Sequence, residues 1–245
     1  MRSYLLAFNL LAAEDHKKKE IEQFINAGEQ MEKYLDTKVF QHLRDTSLDG
    51  VKSQEKNVVI CFAAINNFNK LIHALPPKKL LILLNQHYAF MNEITDKYQG
   101  TIDKVIGPIL MVFWNHPIEQ PKAAELAIKA GIAMLKKNLL QIPIRKELGI
   151  SDFSIKIGIN MGSVVVGNLG SKDFKNYTAI GDTINTAQRL MAMSSPGSMM
   201  VNEHIVACLP ASLKSVKKIS NIKLKGKAWP INAYAYDHTS EINND

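Results

Sequence analysis

The pattern of hydrophobic and polar positions divides most of the chain into short segments of two kinds. Runs of β-branched and apolar residues predict strands at residues 57–65, 101–106, 109–114, 154–161, 163–166, 198–201, 221–225 and 232–236. Apolar residues at helical spacing predict helices at residues 76–98, 121–138 and 183–193. Prolines open the first helix, and Asp182 is the predicted N-cap of the last.

Two of the predicted strand pairs are interrupted by glycine. Gly107-Pro108 predicts a hairpin between strands 101–106 and 109–114, and Gly162 predicts a second hairpin between 154–161 and 163–166. The resulting order β-α-β-β-α-β predicts an α+β domain with a ferredoxin-like core.

The N-terminal residues follow a different pattern. Residues 4–13 are apolar, but this run is too short to span a bilayer, and its flanks do not suit a signal peptide. Residues 14–47 are highly charged with apolar residues three or four apart, which predicts an amphipathic helix able to pair with a partner. A polar stretch at 45–56 predicts a linker. We therefore expect a helical segment and linker at 1–50, one domain at 51–237 and a polar tail at 238–245.

Composition narrows the class of protein. The chain has 245 residues, of which 46% are hydrophobic and 22% charged, a balance typical of a globular fold. Its two cysteines, Cys61 and Cys208, are too few for a disulfide framework or a Cys/His zinc module. Both are expected to be reduced thiols, and with no predicted membrane span we expect a cytoplasmic protein.

The net charge of +7 suits a polyphosphate ligand, a nucleic acid or an anionic membrane surface. The lysines, however, are spread along the whole chain, which also fits simple solvation of the surface. Nucleic-acid-binding sheets place aromatic side chains among their basic residues, whereas aromatic residues are only 7% of this chain. We therefore predict no nucleic-acid partner, and a pure interaction module remains the other alternative.

Three groups of residues could carry chemistry. Asn185 and Arg189 lie four residues apart on a predicted helix, so an amide and a guanidinium share one face and could bind a ribose and a phosphate. Lys225 lies in a Lys-Gly-Lys sequence, and Asp103 precedes Lys104, which could donate to a ring nitrogen of a nucleobase. Each feature alone also fits an ordinary solvated surface.

Together and in this order, five blocks are similar to the catalytic domain of class III adenylyl/guanylyl cyclases. They are FAAINNFN (62–69), TIDKVIG (101–107), INMGSVVVGNLGS (159–171), YTAIGDTINTAQRL (177–190) and LKGKAWPINAYAY (224–236). The resemblance covers residues 57–236. It implies a head-to-tail dimer with active sites at the interface, in which one subunit supplies two metal-binding aspartates.

The other subunit supplies the remaining groups, and this chain has a residue for each. The resemblance implies that Lys104 and Thr178 recognise adenine and that Asn185 positions the ribose. It also implies that Arg189 stabilises the transition state and that Lys225 holds the outer phosphates. The combination of Lys104 with Thr178 favours ATP over GTP.

The two aspartate positions depart from the family pattern, because they hold Ala64 and Pro108. Neither side chain can ligate Mg²⁺ or Mn²⁺, and the neutral amides of Asn66 and Asn67 are poor replacements for two carboxylates. The pattern resembles the second catalytic half of animal membrane adenylyl cyclases, which also lacks both aspartates. Two hypotheses stay open: a non-metal half of a heterodimeric adenylate cyclase, with metal bound only through a partner, or a catalytically inactive pseudocyclase that binds nucleotide or regulates as a dimer.

Overall fold

The computed structural model describes residues 18, 34–46, 52–141, 145–146, 149–150, 153–171, 173, 175–210, 217–222 and 230–237. Three sequence predictions lie outside this part of the chain: the apolar run at 4–13, the polar tail at 238–245, and the phosphate-binding Lys225.

The secondary structure alternates helices with strands along the domain. The helices are α1 (Thr37–Thr46), α2 (Phe68–Ala74), α3 (Pro77–Lys97), α4 (Ala123–Leu140), α5 (Asp182–Met193) and α6 (Glu203–Ala207). The strands are β1 (Gln54–Ile65), β2 (Thr101–Ile106), β3 (Ile109–Trp114), β4 (Ile155–Gly170), β5 (Lys175–Ile180), β6 (Ser198–Asn202), β7 (Lys217–Ile222) and β8 (Ile231–Asp237).

The strands form one sheet in the order β2-β3-β1-β4-β6-β8-β7, and β5 pairs with the far end of β4. The first four strands follow the antiparallel ferredoxin-like order, which confirms the predicted α+β fold. Within the described helices, none is long and apolar enough to cross a lipid bilayer.

The central strand β1 is buried on both faces, so its side chains alternate between two hydrophobic clusters. Val59, Cys61 and Ala63 pack with residues of α3 and α4 on one face. Val58, Ile60 and Phe62 pack with residues of α5 and β5 on the other. Helix α5, which carries Asn185 and Arg189, covers this second face.

The structure corrects several sequence predictions. Gly162 does not make a turn, because β4 continues through it and pairs it with Val58 of β1. The hairpin lies further on, between β4 and β5. Asp182 is the first residue of α5 rather than its cap, since Gly181 is the N-cap.

At the N-terminal side, the predicted continuous helix is interrupted. Residues 34–36 form a turn and α1 begins only at Thr37, while β1 starts within the predicted linker at Gln54. Helix α1 is tied to the sheet by Asp36, whose carboxylate accepts a hydrogen bond from the Ile102 backbone N–H at 2.8 Å. Among the described residues of this segment, Lys18 and Thr37–Thr46 are helical, and residues 34–36 are not.

Gly158 sets how closely α5 lies on β4. A Cβ atom built at this position would overlap the backbone of Ala187 and Met191. Only a residue without a side chain allows this approach, so Gly158 fixes the helix that carries Asn185 and Arg189 against the sheet.

We expect Gly158→Ala to destabilise the domain by about 2 kcal/mol or more, because the contact is with backbone and the helix must move. The matched control is Gly131→Ala in α4, whose added methyl group meets side chains rather than backbone: the Met199 sulfur at 2.6 Å and Ile159 Cδ1 at 3.4 Å. Urea unfolding of both variants measures the difference. Equal stability of the two variants would contradict this account of the contact.

Candidate functional site

Three polar side chains connect β2 to β5. The Lys104 ammonium donates a hydrogen bond to Thr178 Oγ1 at 3.3 Å. The Thr178 hydroxyl donates to Asp103 Oδ2 at 3.2 Å, and Lys104 Nζ lies 3.3 Å from the same oxygen. The structure therefore brings together the two predicted base-reading residues, with Asp103 as a third member.

A β-bulge makes this arrangement possible. Consecutive residues of a regular strand point to opposite faces, so Asp103 and Lys104 would not meet the same partner. In β2 the pairing with β3 steps from Ile102 to Lys104 and leaves Asp103 as the extra residue. Bulges re-aim side chains in this way and are common beside functional sites.

The carboxylate of this trio is almost completely buried. The Asp103 side chain is 4% exposed and that of Lys104 29% exposed. Burial raises the pKa of Asp103, while the charge of Lys104 and the hydrogen bonds from Thr178 and Lys104 act in the opposite direction. The ionised carboxylate is therefore held by its two partners against a net desolvation penalty.

Helix α5 starts directly after β5 and carries the other predicted pair. Its first turn is fixed by Thr183, whose hydroxyl donates to the Ser163 carbonyl at 2.7 Å and whose carbonyl accepts from Asn160 Nδ2 at 2.8 Å. Asn185 is exposed, and Arg189 follows one turn later. Arg189 Nη1 is buried and has no hydrogen-bond partner among the described residues.

The positions at which the resemblance implies metal ligands adjoin each other at the end of β1. The Ile65 N–H donates to the Pro108 carbonyl at 3.1 Å, and the buried Ala64 pairs with Ile109 of β3 and Lys156 of β4. The side chains of Ala64 and Pro108 contain no oxygen, so they do not fit a divalent cation. In the described residues, no group of three or more His, Cys, Asp or Glu side chains could hold a metal.

A cluster of three rings next to the site was not predicted from sequence. Tyr177 Oη and His116 Nε2 are joined by a hydrogen bond of 2.8 Å. The His42 ring of α1 lies 5.5 Å from the Tyr177 ring and 6.0 Å from the His116 ring, between centroids. No motif marks these residues, because they are distant in sequence. Tyr177 precedes Thr178 in β5, so the cluster links α1 to the strand that carries the site.

Comparison with known proteins identifies the family. Residues 51–237 match the family model of the adenylate and guanylate cyclase catalytic domain. Adenylate cyclase 1 of Rhizobium meliloti is 25% identical over 186 residues, which cover 76% of this chain and 28% of that protein. The chain thus matches less than a third of this relative's length.

Solved structures agree with this match. The adenylyl cyclase CyaB from P. aeruginosa is 31% identical with a TM-score of 0.71, and the match covers 75% of this chain and 95% of the other. A bacterial light-regulated adenylyl cyclase shares the fold, with a TM-score of 0.73 at 21% identity, over 89% of this chain and 63% of that one.

The fold and the family match define a nucleotidyl cyclase-like domain. The chain belongs to the family of adenylate and guanylate cyclase catalytic domains.

Acidification tests the ring cluster. Burial lowers the pKa of His116 to about 4 from its usual 6.5, with smaller contributions from the charges of His42 and Lys56. Stability from the neutral ring is therefore fully present above pH 6.5 and is lost as the pH falls toward 4. At ~1.4 kcal/mol per pKa unit, this shift corresponds to a loss of stability on the order of 3 kcal/mol.

Urea unfolding at neutral and acidic pH measures this loss. His116→Gln should lose less stability on acidification than the wild type, and the exposed His73→Gln should behave as the wild type. An identical loss in His116→Gln and wild type would rule out His116 as the titrating group.

Proposed function

We propose that this chain is the non-metal half of a heterodimeric adenylate cyclase, which converts ATP to cyclic AMP and pyrophosphate. One observation carries the proposal. Lys104 and Thr178, the proposed base-reading pair, are in contact, and Asn185 and Arg189 lie on the helix that follows β5, while the side chains of Ala64 and Pro108 offer no metal ligand.

The assembled side chains suit ATP. Lys104 would donate to a ring nitrogen of adenine, and Thr178 would accept from its exocyclic amine. Asn185 would hold the ribose so that its 3′ hydroxyl faces the α-phosphate. Lys225, by the resemblance, would hold the outer phosphates that leave as pyrophosphate.

Arg189 is proposed as the residue that stabilises the transition state. As the 3′ oxygen attacks, negative charge develops on the α-phosphate oxygens, and a preorganised guanidinium lowers the energy of that state most. The buried Nη1 of Arg189 without a described partner fits a group that meets its anion only in the assembled site.

A second chain would complete the site. Large apolar side chains around the Lys104–Thr178 pair are roughly half exposed: Val105, Ile106, Val165, Leu169 and Ile180. They lie on β2 and on the β4–β5 hairpin, next to the base-reading pair. Exposed apolar surface of this kind marks an interaction site, and we propose that the partner carries the two aspartates with Mg²⁺ or Mn²⁺.

The alternative is a pseudocyclase, a homodimeric nucleotide-binding or regulatory module without turnover. Ala64 and Pro108 also favour this alternative, because both active sites of a homodimer would lack metal ligands. Loss of the metal clamp removes several kcal/mol of transition-state stabilisation, at ~1.4 kcal/mol for each tenfold in rate. The two proposals differ only in whether a partner restores turnover.

Complementation distinguishes them. The full chain is mixed with a cyclase domain that has both aspartates but whose own transition-state arginine is replaced by alanine, so that neither protein is active alone. We expect cyclic AMP on mixing with ATP and Mg²⁺ or Mn²⁺. If the mixture forms no cyclic AMP although heterodimers are shown to form and to bind ATP, the result favours the pseudocyclase.

The same mixture tests Arg189. We expect Arg189→Ala to lower kcat by about 100-fold or more while ATP affinity changes little, since the guanidinium acts mainly on transition-state charge. The exposed Gln188→Ala on the same helix is the matched control and should retain activity. A loss confined to ATP affinity would contradict the assigned role.

Restoring the two metal-binding aspartates tests whether their loss is what makes a homodimer inactive. Ala64→Asp together with Pro108→Asp should create metal-dependent cyclic AMP formation in the chain alone, because the two positions adjoin at the end of β1. Either substitution alone should give much less. Continued inactivity of a folded, dimeric double variant would show that the missing aspartates are not the only defect.

A further inference from the structure

Asp103 has no role in the proposed reaction, yet its side chain is buried and contacts both proposed base-reading residues. It is the extra residue of the β2 bulge, its side chain is 4% exposed, and one of its oxygens contacts both base-reading residues. We propose that Asp103 is a positioning residue. It makes Lys104 the donor and Thr178 the acceptor toward the base, and thereby selects adenine. The inference rests on the proposed function of that pair.

The threonine hydroxyl is ambiguous by itself. It has one proton to donate and two lone pairs to accept with, so it can bind either an amine or a carbonyl oxygen. An isolated Thr178 would therefore tolerate both the adenine amine and the guanine keto oxygen. Base selection requires that the hydroxyl proton be committed elsewhere.

Asp103 commits that proton. An ionised carboxylate can only accept hydrogen bonds and an ammonium can only donate them. Thr178 accordingly donates to Asp103 Oδ2 at 3.2 Å and accepts from Lys104 Nζ at 3.3 Å. Among the described residues, this leaves Thr178 with one free lone pair and no free proton.

The same count applies to the lysine. Its ammonium has three protons, of which one points to Thr178 and one to Asp103. The trio therefore presents one free donor on Lys104 and one free acceptor on Thr178. In the proposed register, Lys104 faces N1 of the base and Thr178 faces the group on C6. Adenine is then the complement, with an acceptor at N1 and a donor at N6, whereas guanine would place a donor at N1 against the ammonium and an acceptor at O6 against the Thr178 lone pair.

The test replaces Asp103 by its neutral isostere. In Asp103→Asn the amide can donate as well as accept, so Thr178 regains its freedom and the polarity of the pair is no longer set. Because burial raises the pKa of Asp103, a neutral side chain is tolerated there and the variant should fold.

Nucleotide preference is the readout, measured by displacement of a fluorescent ATP analogue from the complementation mixture. ATP and inosine triphosphate are compared, because inosine has the keto edge of guanine without its 2-amino group. We expect wild type to prefer ATP and Asp103→Asn to narrow that preference by about tenfold, with inosine triphosphate binding more tightly. The control Glu125→Gln, which removes a carboxylate bound to Lys129 on α4, should keep the wild-type preference.

An unchanged preference in a nucleotide-binding Asp103→Asn variant would overturn the inference and leave the proposed function intact. Failure of the wild type to bind any nucleotide would instead overturn the proposed function. The inference is then still tested by NMR of the full chain. Wild type should show a slowly exchanging Thr178 hydroxyl proton that Asp103→Asn loses, and its absence from wild type would refute the assignment of Asp103.

Discussion

The packing of α5 on β4 at Gly158 is the contact on which the candidate site depends. The helix backbone lies so close to the strand that a single added methyl group would overlap Ala187 and Met191. Asn185 and Arg189 project from this helix, and β5 with Thr178 leads directly into it. A short backbone-to-backbone distance therefore determines where these candidate site residues lie relative to the sheet.

The other half of the site is built from polar groups rather than from packing. Asp103 is buried beside Lys104 and Thr178, and burial of a carboxylate opposes folding unless partners hold its charge. The buried carboxylate of Asp103 and the exposed apolar side chains of Val105 and Ile106 lie close together on β2, and neither favours the stability of the domain by itself. Features that lower stability in this way are expected at functional sites.

The sequence pattern predicts much of the fold, and it errs where local signals conflict with tertiary context. The hairpin of β2 and β3 follows from Gly107-Pro108, whose turn is also made in the structure. Gly162 has the same appearance in sequence, yet β4 runs through it, because pairing with the long β1 continues on both sides. A glycine signals a possible turn, but only the partner strand decides whether the chain turns there.

The sequence by itself determined the family, the ferredoxin-like order of elements and the absence of oxygen ligands at positions 64 and 108. The order of elements follows from strand and helix periodicity, whereas the family and the missing ligands follow from the resemblance of the five sequence blocks. Only the tertiary structure showed that Asp103 joins Lys104 and Thr178 and that His42, His116 and Tyr177 form one cluster. The hydrogen bonds of Thr178 with Lys104 and Asp103 and that of Tyr177 with His116 join residues that are 74, 75 and 61 positions apart. Such contacts depend on how the strands pair, which leaves no local signal in the sequence.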